Sequence, residues 1–172
     1  ACGMTDSKLP DYQAGAERAY TLNCAATSGA NIVYESAGMY ASLLGTCPES
    51  LLLDNDTLAA VMRITRGIEV NEKTLSLSDI KDVCFGNKGH YLASAQTLEV
   101  MQTEYLYPEF GDRLSPDDWN DAQQPDPVRA AIQKARQVLI NDYPDHVSDE
   151  IDCKIRECFP IKLSREAIGR GP

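Results

Sequence analysis

Asn31-Ile32-Val33-Tyr34 and Ser50-Leu51-Leu52-Leu53-Asp54 are the two stretches on which the fold turns. The first is short, β-branched and aromatic, follows a glycine at position 29, and reads as a buried strand. The second is a compact apolar run. A fully buried strand is the preferred reading, although periodicity alone does not separate it from a turn of buried helix.

Upstream of the first run, residues 1–9 are small and polar and read as a loop, and Pro10-Asp11 opens a helix. Ala14, Arg18, Leu22, Ala25 and Ala26 fall near helical spacing there, and Ser28-Gly29 closes it. Between the runs, Gly38 breaks the chain, and Met39 to Leu44 is expected as a short helix ended by Gly45. After the second run, Asn55 or Asp56 caps a helix with Leu58, Val61, Met62, Thr65 and Ile68 on one face. Thr74 to Phe85 is a further helix, with Ser76-x-x-Asp79 resembling a capping box. Gly86 to Gly89 is a loop, and helix signals resume at Ser94 with Leu98, Met101 and Tyr105.

Beyond residue 108 the chain reads as helices only. Ser115-Pro116-Asp117-Asp118 places a cap, a proline at the first helical position and acids in the first turn. Asp126-Pro127 repeats the arrangement before the stripe Val128, Ala131, Ile132, Ala135, Val138 and Leu139. Ser148 starts a last helix bearing Ile151, Ile155 and Phe159.

Helices and strands in alternation point to parallel βα units. Two strands make no independent sheet of useful size, and a closed (β/α)8 barrel takes about 250 residues. The expected fold is therefore α/β: the C-terminal part of a TIM-type (β/α)8 barrel over residues 1–108, then a helical extension over 109–172. On that reading residues 1–9 are a βα loop whose strand lies upstream. Uncovered strand edges and an open apolar face would make such a piece associate.

Composition narrows the function. The 172 residues are 43% hydrophobic and 24% charged, enough to bury a core. Sixteen Lys+Arg against 26 Asp+Glu give a net charge of −10, which phosphate backbones repel, so nucleic acid is not the expected partner. No apolar run approaches the ~20 residues of a membrane span, and no secretory signal is visible, so the chain reads as soluble and cytoplasmic. The six cysteines form no CxxC pair and read as small buried hydrophobes in a reducing compartment. The two histidines stand apart from any cysteine, so no metal site is expected within the chain. The absence of GxGxxG, P-loop, GxSxG and HExxH patterns argues against a self-contained dehydrogenase, kinase or hydrolase. Residues 101–160 hold 13 of the 26 acids against six basic residues, either a solvated helix surface or a docking face for a basic partner.

An ordered series of segments carries a family resemblance. Thr5-Asp6-Ser7-Lys8-Leu9-Pro10-Asp11-Tyr12-Gln13-Ala14-Gly15 resembles the TDSK-x-PD-x-QAG segment of the trimethylamine–corrinoid methyltransferase family. Gly29 to Tyr34, Leu53 to Asp56, Arg66 to Val70, Gly89 to Leu92, Gln96 to Leu98 and Tyr105 to Pro108 resemble the same family in the same order. The resemblance implies a (β/α)8 barrel that demethylates a methylated amine. The methyl group passes to the cobalt of a corrinoid held by a separate partner protein, with no cofactor bound directly. It implies a homo-oligomeric full-length enzyme. It also implies that in methanogen members a pyrrolysine, encoded by an in-frame amber codon, lies close to the start of this segment. A chain beginning after such a codon is one expectation; a non-pyrrolysine homologue acting on glycine betaine or another quaternary amine is the alternative. A third reading, from a different class, is a helical interaction module without catalysis.

Methyl transfer from an ammonium nitrogen requires that the cation be held, the N–CH3 bond be aimed at cobalt, and the leaving amine be stabilised. In barrels such groups follow the strands. That rule selects Asp6, Lys8 and Glu35 as candidate catalytic residues, and Tyr34, Gln13, Asp54 and His90 as candidate substrate-binding residues. Each has a second reading. Asp6 either faces a cationic substrate or caps the helix near Pro10, and Lys8 is either a base or makes a salt bridge or a backbone contact. Gln13 binds substrate or makes a core hydrogen bond. Tyr34 beside Glu35 suits a quaternary ammonium by cation–π attraction, worth about 0.5–2 kcal/mol per face, or is barrel core with a paired Glu35. Asp54 follows a strand as a ligand or caps a helix, and His90 faces the corrinoid or a loop carbonyl.

Overall fold

Asp11 starts the first helix. Its side chain accepts the Ala14 backbone N–H at 3.0 Å, satisfying one of the free amides of a helix start, and α1 runs from Tyr12 to Thr27. A computed structural model describes residues 2–86, 89–143 and 146–169. Within α1 the buried residues are Ala14, Arg18 and Leu22, four apart, so one narrow stripe faces inward. That stripe packs on α2, Pro48–Arg66, which opens on Pro48 and buries Ser50, Asp54 and Val61.

The two apolar runs do not form strands. Leu51, Leu52 and Leu53 lie in the first turns of α2. Leucine is unbranched at Cβ and a strong helix former, and Pro48 with Glu49 supplies a helix start just before it. Residues 31–34 follow an irregular path with Ile32 and Tyr34 exposed. A strand needs a neighbour to take its amides, and none pairs with this segment among the described residues. The ladder present among them is a two-residue antiparallel pair, β1 (Met39–Tyr40) with β2 (Gly45–Thr46), Met39 opposite Thr46 and Tyr40 opposite Gly45. The short helix expected at 39–44 is therefore replaced by this hairpin. Ala41, Ser42 and Leu43 at its tip all have positive φ, which a right-handed helix excludes.

The N-terminal strap lies alongside the hairpin tip. Ala41 N–H donates to the Ser7 carbonyl at 2.9 Å and Ser42 N–H to the Thr5 carbonyl at 3.2 Å. Thr5 and Ser7 are buried as a result. The expected helix over 74–85 is divided in two: α3 (Glu72–Leu75) and α4 (Leu77–Phe85), separated by Ser76 in the left-handed region. The capping box belongs to Asn71 and Thr74, not to Ser76 and Asp79. Ser94 caps α5 (Ala95–Val100) as expected, but the helix stops before Tyr105. Both Arg63 and Arg66 reach the Glu104 carboxylate from the end of α2. Asp56 takes the amides of Glu109, Phe110 and Gly111 at 2.8–3.1 Å, fixing the chain after Pro108.

Ser115 caps α6 (Pro116–Asp121) and Asp126 accepts the Val128 amide at 2.9 Å at the start of α7 (Pro127–Asn141). Ser148 caps α8 (Asp149–Cys158). The chain divides into two units, residues 1–131 and 132–172, as far as each is described. In the second, Arg156 pairs with Asp152, and Arg165 reaches Asp149 and Asp152. No disulfide forms among the described residues. Cys24, Cys84, Cys153 and Cys158 are exposed and Cys2 and Cys47 half-buried, so the expectation of buried cysteines is corrected. Among the described residues, no helix is long and apolar enough to cross a membrane, and no cluster of three or more His, Cys, Asp or Glu side chains is placed to hold a metal.

Candidate functional site

The packing of α1 on α2 is organised around one charged side chain in an apolar stripe. Arg18 is 3% exposed and spends its donors inward. Nε donates to the Gly3 carbonyl at 3.0 Å, Nη2 to the Met39 carbonyl at 2.7 Å, and Nη1 to Tyr40 Oη at 3.0 Å and Asp54 Oδ1 at 3.1 Å. The guanidinium carbon also sits 4.3 Å from the centre of the Tyr40 ring. Asp54 Oδ2 accepts the Gly38 amide at 2.7 Å, and Tyr40 Oη hydrogen-bonds Ser50 Oγ. Burial pushes the Asp54 carboxyl up, more than the Gly38 amide and the Arg18 charge draw it down. This knot holds the strap, the hairpin and both helices at fixed positions.

Next to the knot, a cleft of about 300 Å³ opens between the strap, α1 and the hairpin tip. Two carboxylates line it, Asp6 and Glu17, with Tyr20, Met4 and Leu43 as apolar wall and Thr5 and Ser42 as hydroxyl groups. No lining residue is basic. Ser42 Oγ donates to Asp6 Oδ1, leaving Asp6 Oδ2 without a protein donor among the described residues. Glu17 accepts Thr5 Oγ1 at 2.6 Å, the Asp6 amide at 2.9 Å and Gln13 Nε2 at 2.8 Å. These hydrogen bonds, Thr5's first, hold its carboxyl below the usual carboxylate range. The cleft thus presents negative charge beside an aromatic ring, which suits a small organic cation. A larger hollow of about 540 Å³ lies at the end of α2. Arg63 and Arg66 line it, turned onto Glu104 and backbone carbonyls, and it offers nothing comparable to a cation.

The expected site residues separate. Asp6 lies in the cleft, and Lys8 folds back to donate to the Asp6 carbonyl at 2.8 Å. Gln13 reaches the cleft indirectly, through Glu17. Asp11, not Asp6, caps α1. Asp54 is inside α2 and enclosed with Arg18, so it neither caps a helix nor faces a cavity. Tyr34 and Glu35 are exposed on the segment after α1, Glu35 with positive φ, and do not line the cleft. His90 is exposed beyond α4. Glu17, Tyr20 and Ser42 escaped sequence reasoning. The spacing of Gln13 and Glu17, one helical turn apart, was the available signal for the first.

The titration of these groups predicts an acid response. The carboxyls of Glu17 and Asp11 both lie below their ordinary values of 4.5 and 3.8 in the folded chain, Asp11 through the Ala14 amide and Ser7 hydroxyl. The unfolded chain therefore binds more protons in that window, and the stability these groups confer is present above it and is lost as pH falls through the folded values. Asp54 has the opposite sign: its raised pKa makes the folded chain lose stability as pH rises through the window above 3.8. Urea midpoints measured between about pH 6 and pH 3 should fall on acidification, with a shallower fall in Glu17→Gln. An unchanged slope in that variant would show that Glu17 is not held as described.

The helical scaffold with its acidic, aromatic-walled cleft has relatives among methyltransferases. Residues 1–164 match the trimethylamine methyltransferase (MTTB) family, and the chain belongs to that family. It is 36% identical to trimethylamine methyltransferase MttB1 of Methanosarcina mazei over 151 residues, 88% of this chain and 29% of that protein. With the glycine betaine methyltransferase of Desulfitobacterium hafniense it shares 29% identity over 154 residues, 90% of this chain and 32% of the relative. The trimethylamine methyltransferase MttB of the same species is 30% identical over 156 residues, 91% and 31% of the two chains. The chain spans about a third of the length of these curated relatives.

Proposed function

We propose that this chain is part of a methyltransferase that moves a methyl group from trimethylamine to the cobalt of a corrinoid carried by a separate protein. Family membership supports methyl transfer, and the observation that carries the choice of donor is the Asp6–Glu17 cleft with its Tyr20 wall. The donor is a cation at neutral pH. Asp6 holds the ammonium through charge, and Tyr20 offers a π face to its methyl groups. The N–C bond breaks with its electron pair left on nitrogen, releasing dimethylamine, and the methyl joins reduced cobalt. Because the positive charge leaves nitrogen in that step, Asp6 serves binding and orientation more than the chemical barrier.

The same cleft disfavours glycine betaine, the second reading that a relative's name raises. Betaine carries its own carboxylate, which meets two carboxylates and no basic lining group. The apolar groove of about 340 Å³ between α1 and α2, lined by Leu22, Ala26, Val33, Leu58, Val61 and Met62, is consistent with further chain packing here as a barrel of the (β/α)8 type.

The test follows cobalt absorbance in a mixture of the whole enzyme, a cob(I)alamin-loaded corrinoid protein and a single amine. Methylcobalt should form at least about 10-fold faster with trimethylamine than with glycine betaine at equal concentration. Faster transfer from betaine replaces the donor. No transfer from any methylated amine leaves a helical interaction module as the better description.

A further inference from the structure

We infer that Glu17 is a positioning residue of the cation cleft, setting the place of the Asp6 carboxylate through Thr5 and the Asp6 backbone, and that Gln13 acts on Glu17 and not on a substrate. The inference rests on the methylated-amine reading of the cleft and adds a residue to it.

Both oxygens of Glu17 are committed. Oε2 receives the Thr5 hydroxyl at 2.6 Å and the Asp6 amide at 2.9 Å, while Oε1 receives Gln13 Nε2 at 2.8 Å, one turn back on α1. A carboxylate so occupied is poorly placed to contact a substrate directly. Its effect passes to the strap. Thr5 is 2% exposed; its Oγ1 also accepts the Ser7 amide at 2.9 Å and its carbonyl the Ser42 amide at 3.2 Å. Ser42 in turn donates to the Asp6 side chain. Asp6 is thereby located at its backbone by Glu17 and at its carboxylate by Ser42, with Oδ2 left for a ligand. Lys8, donating to the Asp6 carbonyl at 2.8 Å, closes the turn from the far side. Charge-assisted acceptors are the stronger hydrogen-bond partners, so the Glu17 carboxylate, oriented by Gln13, is a firm anchor of Thr5 and Asp6 on α1.

The experiment is steady-state kinetics of the whole enzyme with trimethylamine, combined with hydrogen exchange at the Asp6 amide. Glu17→Ala should raise KM about 10-fold and leave kcat within about twofold, because a misplaced Asp6 weakens cation binding. Glu17→Gln should recover most of the loss, since its oxygen still accepts from the strap and the Gln13 amide can turn to accept from the new NH2 group. In an Asp6→Asn background, Glu17→Ala should add no further rise in KM. An equal rise in both backgrounds overturns the inference while leaving the cleft reading intact. An unchanged KM in Asp6→Asn overturns the cleft reading, and with it any role for Glu17 through Asp6. Exchange of the Asp6 amide requires no activity: it should quicken at least about 10-fold in Glu17→Ala, and an unchanged rate sinks the inference whatever the kinetics show.

Discussion

Arg18→Met should lower the unfolding free energy by about 3–5 kcal/mol, read from the urea midpoint at constant slope. Methionine fits the volume of the stem but supplies none of the donors. Asp54 is left as a buried carboxylate without its counter-ion, and the Gly3 and Met39 carbonyls and Tyr40 hydroxyl lose a charged donor together. Most of the loss is the cost of the orphaned groups, not the net worth of the ion pair. Two further variants separate these contributions. Asp54→Asn keeps one acceptor oxygen, enough for Arg18 or for the Gly38 amide but not for both, and should cost less than Arg18→Met. The double variant Arg18→Met/Asp54→Leu removes both charges and should recover part of the single-variant loss, a non-additivity expected of side chains in contact. A cost below about 1 kcal/mol for Arg18→Met, as for an exposed pair, would mean the knot does not organise the fold.

This knot shows what a sequence carries and what it withholds. An arginine at the centre of the stripe Ala14, Arg18, Leu22 is visible without a structure, and a cation on a core face demands a buried partner. Which acid answers it is a long-range fact, since Asp54 lies 36 positions away. Four helix starts were legible for a local reason, whereas the cap expected at Asn55 or Asp56 lies inside α2. Asp11, Ser94, Ser115 and Ser148 each cap their own first turn, and a cap depends on residues two or three positions on. The strands failed for the opposite reason. Residues 31–34 have a strand's composition, but a strand exists only where a partner takes its amides, and Leu51 to Leu53 were claimed by the helix signals on either side. The hairpin at 39–46 depends on three successive residues with positive φ, none of them glycine, which no turn signature announces. The candidate cleft was half legible. Asp6 and Gln13 do belong to one cluster, but the residue joining them, Glu17, became visible only when the strap was placed against α1.

Gly3→Ala should cost about 2–4 kcal/mol, the second large effect, and it tests the strap from its other end. Gly3 is tied at both backbone groups: its amide donates to Thr21 Oγ1 at 3.1 Å, and its carbonyl takes Arg18 Nε. Its φ is +94°, a conformation costly to any residue with a Cβ. An added Cβ would stand 2.6 Å from the Ser36 carbonyl oxygen and 2.9 Å from Leu22 Cδ2. Leucine can rotate aside, but the Ser36 carbonyl belongs to the backbone and moves only with the segment after α1. Gly29 supplies the control. Its φ is +81° and nothing lies within 4 Å of a Cβ built there, so Gly29→Ala should cost only the conformational share, about 1 kcal/mol. The difference between the two variants isolates the collision. Because the strap can escape it only by shifting, Gly3→Ala should also quicken exchange at the Asp6 amide, whereas Gly29→Ala should not. Equal costs for the two glycines would show that the strap does not lie against Ser36, and the cleft that depends on its path would have to be redrawn.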